Sequence, residues 1–303
     1  YKDYSENHQN ELTDEQILRL IDEMHALGTQ RLQITGGEPM FRRGIGKIID
    51  HAKDRGMFVG LSTSGYQISE RVAELKNADI VFLSLDGEEE INDYLRGPGI
   101  YRTVMEAMSA LRENNIDFWT TTVVTKKNMH SIDFILKLAK EKGFLANFIL
   151  LYHQDYGTNQ LPPGFKVRDL TLTDKEIREV LAYLLKKKKQ GEPVGSSTSY
   201  FNFLLNWKDY TRMFIPERHE EVKCWAGVLS CHIDSKGILY ACGGAIGLTE
   251  GMDTKTMGLK RAFESAKPMK GCNTCIYACW LESNLLFSLN ASSIWNWLHA
   301  LRG

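Results

Sequence analysis

Between residues 13 and 152 the apolar positions alternate between a helical and a strand-like period. Thr13-Asp14-Glu15-Gln16 has the capping-box pattern, and Ile17, Leu20, Ile21 and Met24 follow at helical spacing, so a helix opens here. Arg31 to Ile34 predicts a strand, Ile45 to Arg55 a helix, Met57 to Leu61 a strand and Ser69 to Leu75 a helix. Ile80 to Leu85 reads as a buried strand and Thr103 to Glu113 as a helix. Phe118 to Val124 then predicts a strand, Ser131 to Glu141 a helix and Ala146 to Leu151 a further strand. Apolar strands alternating with helices predict an α/β fold, a parallel sheet wrapped by helices, either open or a partial barrel. In both arrangements chemistry belongs at the carboxyl ends of the strands.

Farther on, the Lys186 to Lys189 run ends an amphipathic stretch just before Gly191 and Pro193, which predicts a solvated helix terminus. Leu285-Leu286-Phe287-Ser288-Leu289 is too short to span a bilayer. Together with Trp295, Trp297 and Leu298 it predicts an apolar helical face, packed on the body in preference to lying on a membrane surface. With 303 residues and a net charge of −1, the chain suits one large α/β unit plus an appendix and offers no electrostatic footprint for nucleic acid. Signal and transmembrane patterns are absent, and the expected location is the cytoplasm.

The cysteine distribution changes the picture. All six fall at or after Cys224: Cys224, Cys231, Cys242, then Cys272-x2-Cys275-x3-Cys279. A tight turn points both sulfurs of a C-x2-C pair at one metal centre. Asp234-Ser235-Lys236-Gly237 reads as a hairpin turn that returns Cys242 beside Cys224, supplying a second pair. Disulfides do not suit a chain without secretory features. The cysteines alone leave a four-cysteine zinc site and an iron–sulfur cluster equally open.

The strand ends carry polar groups in succession. Thr35-Gly36-Gly37-Glu38-Pro39 offers carbonyls and a carboxylate to a donor such as an ammonium. Ser62, Thr63, Ser64 and Gly65 suit a sugar or carboxylate, and Ser84-Leu85-Asp86-Gly87 ends the third strand. Arg96-Gly97-Pro98-Gly99 offers a guanidinium to a carboxylate. Each is weak singly; four around the ends of one sheet mark a site.

This ordered set resembles the radical S-adenosylmethionine (SAM) superfamily over nearly the whole chain. The resemblance implies a (β/α)6 partial barrel of the TIM type whose first strand lies upstream, with a small hairpin-and-helix extension: residues 1–215 for the barrel and 216–303 for a twitch or SPASM-like domain. It implies that Gly36, Gly37, Glu38 and Pro39 hold the SAM amino group, that Ser84 and Arg96 contact SAM, and that Val124 lies beside the adenine. Ser62, Ser64 and Asp86 join the candidate cofactor set as strand-end neighbours. The Cys224-Trp225-Ala226-Gly227 phrase with Gly237-x4-Cys242 is similar to the opening signature of the extension, which carries auxiliary [4Fe–4S] clusters.

The superfamily's Cys-x3-Cys-x2-Cys loop, which binds the SAM-cleaving [4Fe–4S] cluster, is absent. It normally precedes a segment like Tyr1-Lys2-Asp3-Tyr4, so this sequence is expected to be N-terminally incomplete, with that loop and the first strand upstream. Two full auxiliary clusters need eight thiolates, so one is the economical reading. Its expected ligands are Cys224, Cys242, Cys272 and Cys275, with Cys279 as a substitute or as part of a second, incomplete cluster. Cys231 is read as a small core residue and His232 as a non-ligand.

The resemblance further implies reductive cleavage of SAM, a 5′-deoxyadenosyl radical that abstracts a substrate hydrogen, and an external electron donor of flavodoxin or ferredoxin type. A peptide substrate ranks first, ahead of a small molecule such as a carbohydrate or an isoprenoid-like lipid. The non-enzymatic alternative is a zinc-stapled binding protein. Sulfatase-maturing relatives have an aspartate after the cysteine matching Cys242; here Gly243 stands there, which weighs against that activity. His153 and Asp155, in the loop after the last strand, are the candidates for proton transfer.

Overall fold

The computed structural model describes residues 10–152, 166–219 and 222–300, except for the side chains of 279, 299 and 300. These residues cluster into two compact units. One is drawn from Tyr1–Thr121, His232–Tyr240 and Gly251–Ala266, the other from Thr122–Cys231, Ala241–Glu250 and Lys267–Gly303.

In the first unit helix α1 (Asp14–Ala26) starts on the expected capping box. Thr13 Oγ1 accepts the Gln16 N–H, and the Gln16 side chain returns to the Thr13 N–H. Strand β1 (Arg31–Ile34), helix α2 (Ile45–Asp54), β2 (Phe58–Thr63), a short helix α3 (Ile68–Arg71) and β3 (Ile80–Ser84) follow as the apolar pattern predicts. Helix α4 (Glu89–Arg96) is additional: the sequence reading assigned no element here, and Arg96 is the last residue of a helix closed by Gly97 at φ +116°. Helix α5 (Ile100–Glu113) and the start of β4 (Phe118–Val124) complete this part of the first unit; the end of β4, α6 (Ile132–Lys142) and β5 (Ala146–Leu150) belong to the second and continue the alternation. The strands form one five-stranded sheet in the order β1-β2-β3-β4-β5, and the paired registers from β1 through β4 are parallel.

Register divides this sheet into two chemically different faces. Val59, Leu61, Val81, Leu83 and Thr120 are fully buried at 0% exposure, so their face is the core. On the other face Ser62 is level with Phe82, Phe82 with Trp119, and Ser84 with Thr121; all are half-buried. Phe82 and Trp119 meet edge to face with centroids 5.8 Å apart, and Gln33 Nε2 donates to Ser62 Oγ at 3.1 Å.

In the second unit α7 (Val167–Leu170), α8 (Asp174–Lys189) and α9 (Thr198–Leu205) follow β5. The Lys186–Lys189 terminus is only partly solvated, correcting the expectation. Lys187 Nζ pairs with Asp133 at 2.9 Å, and Lys188 turns inward to the Val194 carbonyl and Asn296 Oδ1 at 2.7 and 2.6 Å.

Strand β6 (Phe214–Ile215) lies in the second unit. The expected hairpin forms in the first, from β7 (His232–Ile233) and β8 (Ile238–Tyr240), with Gly237 at φ +84° in its turn. It gains a third antiparallel strand, β9 (Met252–Asp253), followed by α10 (Thr254–Met257) and α11 (Leu259–Ser265). In the second unit β10 (Thr274–Cys275) pairs with β6, and α12 (Ala278–Phe287) and α13 (Ala291–Ala300) close the chain.

Helix α13 packs through polar groups: Ser292 meets Thr198, Ser293 meets Ser197, and Asn296 reaches Lys188 and the Gly195 carbonyl. Trp295 and Leu298 are exposed at 66% and 49%, which corrects the expectation of one apolar face shared with Trp297. No helix among the described residues is long and apolar enough to cross a membrane.

Candidate functional site

The first unit gathers the polar strand ends. After β1 the chain passes through Gly36 at φ +144°, a conformation side chains rarely adopt; a Cβ there would meet nothing within 4 Å. The backbone is therefore open to a ligand on that side. Glu38 caps the 3-10 turn Pro39–Phe41 by accepting the Met40 N–H at 3.1 Å. The same oxygen accepts Thr63 Oγ1 at 2.6 Å, and its other oxygen accepts the Ser64 N–H and hydroxyl at 2.7 and 2.5 Å. A carboxylate has about four lone-pair positions, and these four donors fill them. Glu38 thus ties the end of β1 to the end of β2, leaving the backbone carbonyls around Gly36 and Gly37 as the groups available to an incoming ammonium.

At the end of β3, Ser84 sits on the half-buried face with Ser62, while Asp86 folds under it at 5% exposure. The Asp86 N–H donates to Asn92 Oδ1 at 2.9 Å, and Arg96 Nε lies 2.7 Å from Asp86 Oδ2. That N–H is not aligned for a hydrogen bond, so the contact is chiefly Coulombic. Both contacts lash α4 to the strand end. Asn92 Nδ2 is buried there without a hydrogen-bond partner. Val124 is 1% exposed and lies on the strand side of Thr120 and Thr122, opposite to Thr121 and Val123. His153 and Asp155 lie outside the described residues.

The sequence reading missed Gln33, Phe82, Trp119 and Thr121 on the half-buried face. The sequence of β4, Phe-Trp-Thr-Thr-Thr-Val-Val, has no apolar–polar alternation that could have shown the last two; the burial of every second residue is decided by the fold.

The second unit holds the cysteines. Cys224, Cys242, Cys272 and Cys275 line one small, partly open cavity with Met213, Phe214, Met269, Tyr277 and Trp280. All four are free thiols, as is Cys231, which is not among the lining residues. Burial pushes the Cys272 thiol up to about 12, reinforced by Cys224 and Cys242 nearby; it also raises Cys242 and Cys275. Backbone N–H groups oppose that rise: Gly244 and Ala245 donate to Cys242, and Tyr277 to Cys275. Soft thiols with N–H donors in an apolar wall form a donor set suited to an iron–sulfur cluster. Cys279 falls in the first turn of α12.

Residues 1–139 match the family described as the Radical SAM superfamily. These residues are a radical SAM superfamily domain. Enzymes of that superfamily use SAM with a [4Fe–4S] cluster. Among similar proteins, the AdoMet-dependent heme synthase of Methanosarcina barkeri is 26% identical over 246 residues, covering 77% of this chain and 68% of the relative. The mycofactocin maturase MftC of Mycolicibacterium smegmatis is 29% identical over 242 residues, covering 78% of this chain but only 58% of the maturase. The solved structure of anSMEcpe with bound AdoMet aligns at a TM-score of 0.60 and 18% identity, covering 84% of this chain and 72% of that one. Streptococcus suis SuiB bound to its precursor peptide SuiA aligns at 0.57 and 16%, covering 90% and 59%. At these identities the structural likeness is one of fold.

Proposed function

We propose that this radical SAM chain acts on a peptide and carries one auxiliary [4Fe–4S] cluster besides the SAM-binding one. Bound SAM and its reduced cluster supply a 5′-deoxyadenosyl radical that abstracts a hydrogen from the substrate. The chain's own part is to seat and shield that chemistry. Carbonyls around Gly36 and Gly37 receive the SAM ammonium, held in place by the Glu38 bonds to Thr63 and Ser64. Arg96, anchored by Asp86, presents positive charge to the SAM carboxylate, and Ser62 and Ser84 line the same half-buried sheet face. Phe82 and Trp119 give that face an apolar floor that excludes water. An external one-electron donor of flavodoxin or ferredoxin type supplies reducing equivalents.

The observation carrying the auxiliary cluster is the convergence of four thiols on one cavity. The apolar wall around the four thiols and the backbone N–H groups directed at Cys242 and Cys275 favour a cluster over the zinc-stapled alternative. A peptide substrate is supported by the SuiB complex with its precursor peptide and by the maturase similarity. The heme synthase and Fe-coproporphyrin III synthase similarities favour a second reading, a tetrapyrrole.

The test is anaerobic purification of the chain with its native N-terminus, followed by iron and sulfide analysis and incubation with SAM and dithionite. About eight irons per chain and formation of 5′-deoxyadenosine are expected; zinc without iron sinks the proposal. Peptide and tetrapyrrole are then separated by which of them acquires deuterium from, or donates it to, the recovered 5′-deoxyadenosine.

A further inference from the structure

Tyr152 stands two residues beyond β5, and its ring stacks on Tyr277 with centroids 5.4 Å apart and planes at 17°. Its phenol oxygen accepts the Ala278 N–H at 2.7 Å and donates over a long 3.5 Å to the Ile276 carbonyl. Ala278 is the first residue of α12, and Tyr277 as its N-cap supplies no side-chain hydrogen bond. One of the unpaired N–H groups that every helix start presents is therefore satisfied by a tyrosine from a distant segment. The two groups that Tyr152 holds, on Ile276 and Ala278, flank Tyr277, which lines the cysteine cavity and whose N–H donates to Cys275. The orientation of that N–H is thus set by a clamp built from outside the cysteine segment.

Hydrogen bonds to coordinating sulfur are one of the protein's levers on cluster potential. Reduction adds negative charge to a cluster, so an N–H dipole aimed at a thiolate stabilises the reduced form more than the oxidised one. Losing the alignment must move the potential in the negative direction.

We propose that Tyr152 is a positioning residue for the auxiliary cluster, fixing the Ile276–Ala278 turn so that the Tyr277 N–H stays on the Cys275 sulfur and keeps the cluster reducible. The inference rests on the reading that Cys224, Cys242, Cys272 and Cys275 hold a cluster.

Three variants of the anaerobic full chain test it. Tyr152→Phe keeps the ring stack and removes only the oxygen. Tyr277→Pro removes the N–H itself at a φ of −64° that proline adopts without strain. Tyr277→Phe retains both ring and N–H. Iron and sulfide are measured first; the midpoint potential of the EPR signal that SAM does not perturb is then titrated. The expected result is wild-type iron content, a negative shift in Tyr152→Phe, a larger one in Tyr277→Pro, and none in Tyr277→Phe. Should Tyr152→Phe assemble too little cluster to titrate, Tyr277→Pro against Tyr277→Phe makes the same comparison. Unmoved potentials in Tyr152→Phe and Tyr277→Pro with clusters intact overturn this inference alone. Undiminished iron in Cys224→Ala overturns the cluster reading, and this inference with it.

Discussion

Ser64 grips one oxygen of Glu38 twice, through its backbone N–H at 2.7 Å and its hydroxyl at 2.5 Å. With Thr63 and the Met40 N–H on the other oxygen, two strand ends are held at a fixed separation beside the backbone that would meet the SAM ammonium.

Glu38→Gln follows directly from that count. Whichever way the amide turns, its NH2 replaces an oxygen that receives two donors, one of them a backbone N–H. Leaving such a donor unsatisfied costs about 1–3 kcal/mol. A lowered Tm and weakened SAM binding by calorimetry are expected; unchanged values in both would show that the knot does not set the site.

Gly36→Ala separates conformation from sterics, because a Cβ there has open space and only the φ of +144° opposes it. A stability loss on the order of 1–3 kcal/mol is expected from the backbone alone. SAM affinity should fall with it as the neighbouring carbonyls turn, and a fully stable, fully binding variant would contradict this account.

Arg96 and Asp86 form a nearly buried pair, with side chains 15% and 7% exposed. Removing one partner of such a pair costs about 3–5 kcal/mol. A double-mutant cycle with Arg96→Ala and Asp86→Ala should give a coupling energy well above zero, since the double variant recovers part of the single losses. SAM binding should remain impaired in Arg96→Ala and in the double variant, distinguishing the arginine's contact with ligand from its role as a brace.

The cysteines divide into two groups. Alanine at Cys224, Cys242, Cys272 or Cys275 should each remove about four irons, whereas Cys231→Ala should remove none. Burial pushes the Cys231 thiol up to about 11 from its ordinary value of 9.0. With the folded pKa above the unfolded one, the unfolded chain loses this proton first, and stability falls as pH rises from about 9 to about 11. Denaturant titrations across that window should show the fall in the native chain and a shallower one in Cys231→Ala.

How much of this was legible beforehand differs from element to element. Thr13 and Gln16 announced α1 because a capping box is satisfied within four consecutive residues. Arg31–Ile34 was bounded correctly by its polar–apolar alternation, and Phe118–Val124 by its unbroken run of aromatic and β-branched residues. Helix α4 escaped because its buried positions, Asn92 and Leu95, include a polar residue whose partner is the Asp86 backbone. The order of Gly-Gly-Glu-Pro, Ser-Leu-Asp-Gly and Arg-Gly marked the site in sequence, yet not that Glu38 spends its lone pairs on Thr63 and Ser64, or that Arg96 leans on Asp86. Those are contacts across 25, 26 and 10 positions, respectively, settled by strand register and helix packing.

The same holds for the cysteine-bearing third. Sequence by itself supplied the Cys272-x2-Cys275 turn and the hairpin at Asp234–Gly237, because a few covalent links fix both. Only the tertiary structure brought Cys224 and Cys242 to that turn and walled them with Met213 and Phe214 through the β6–β10 pairing. It alone set Tyr152 on the Ala278 N–H. Local spacing constrains atoms within a turn; which distant turns share a cavity is decided by the burial of the whole chain.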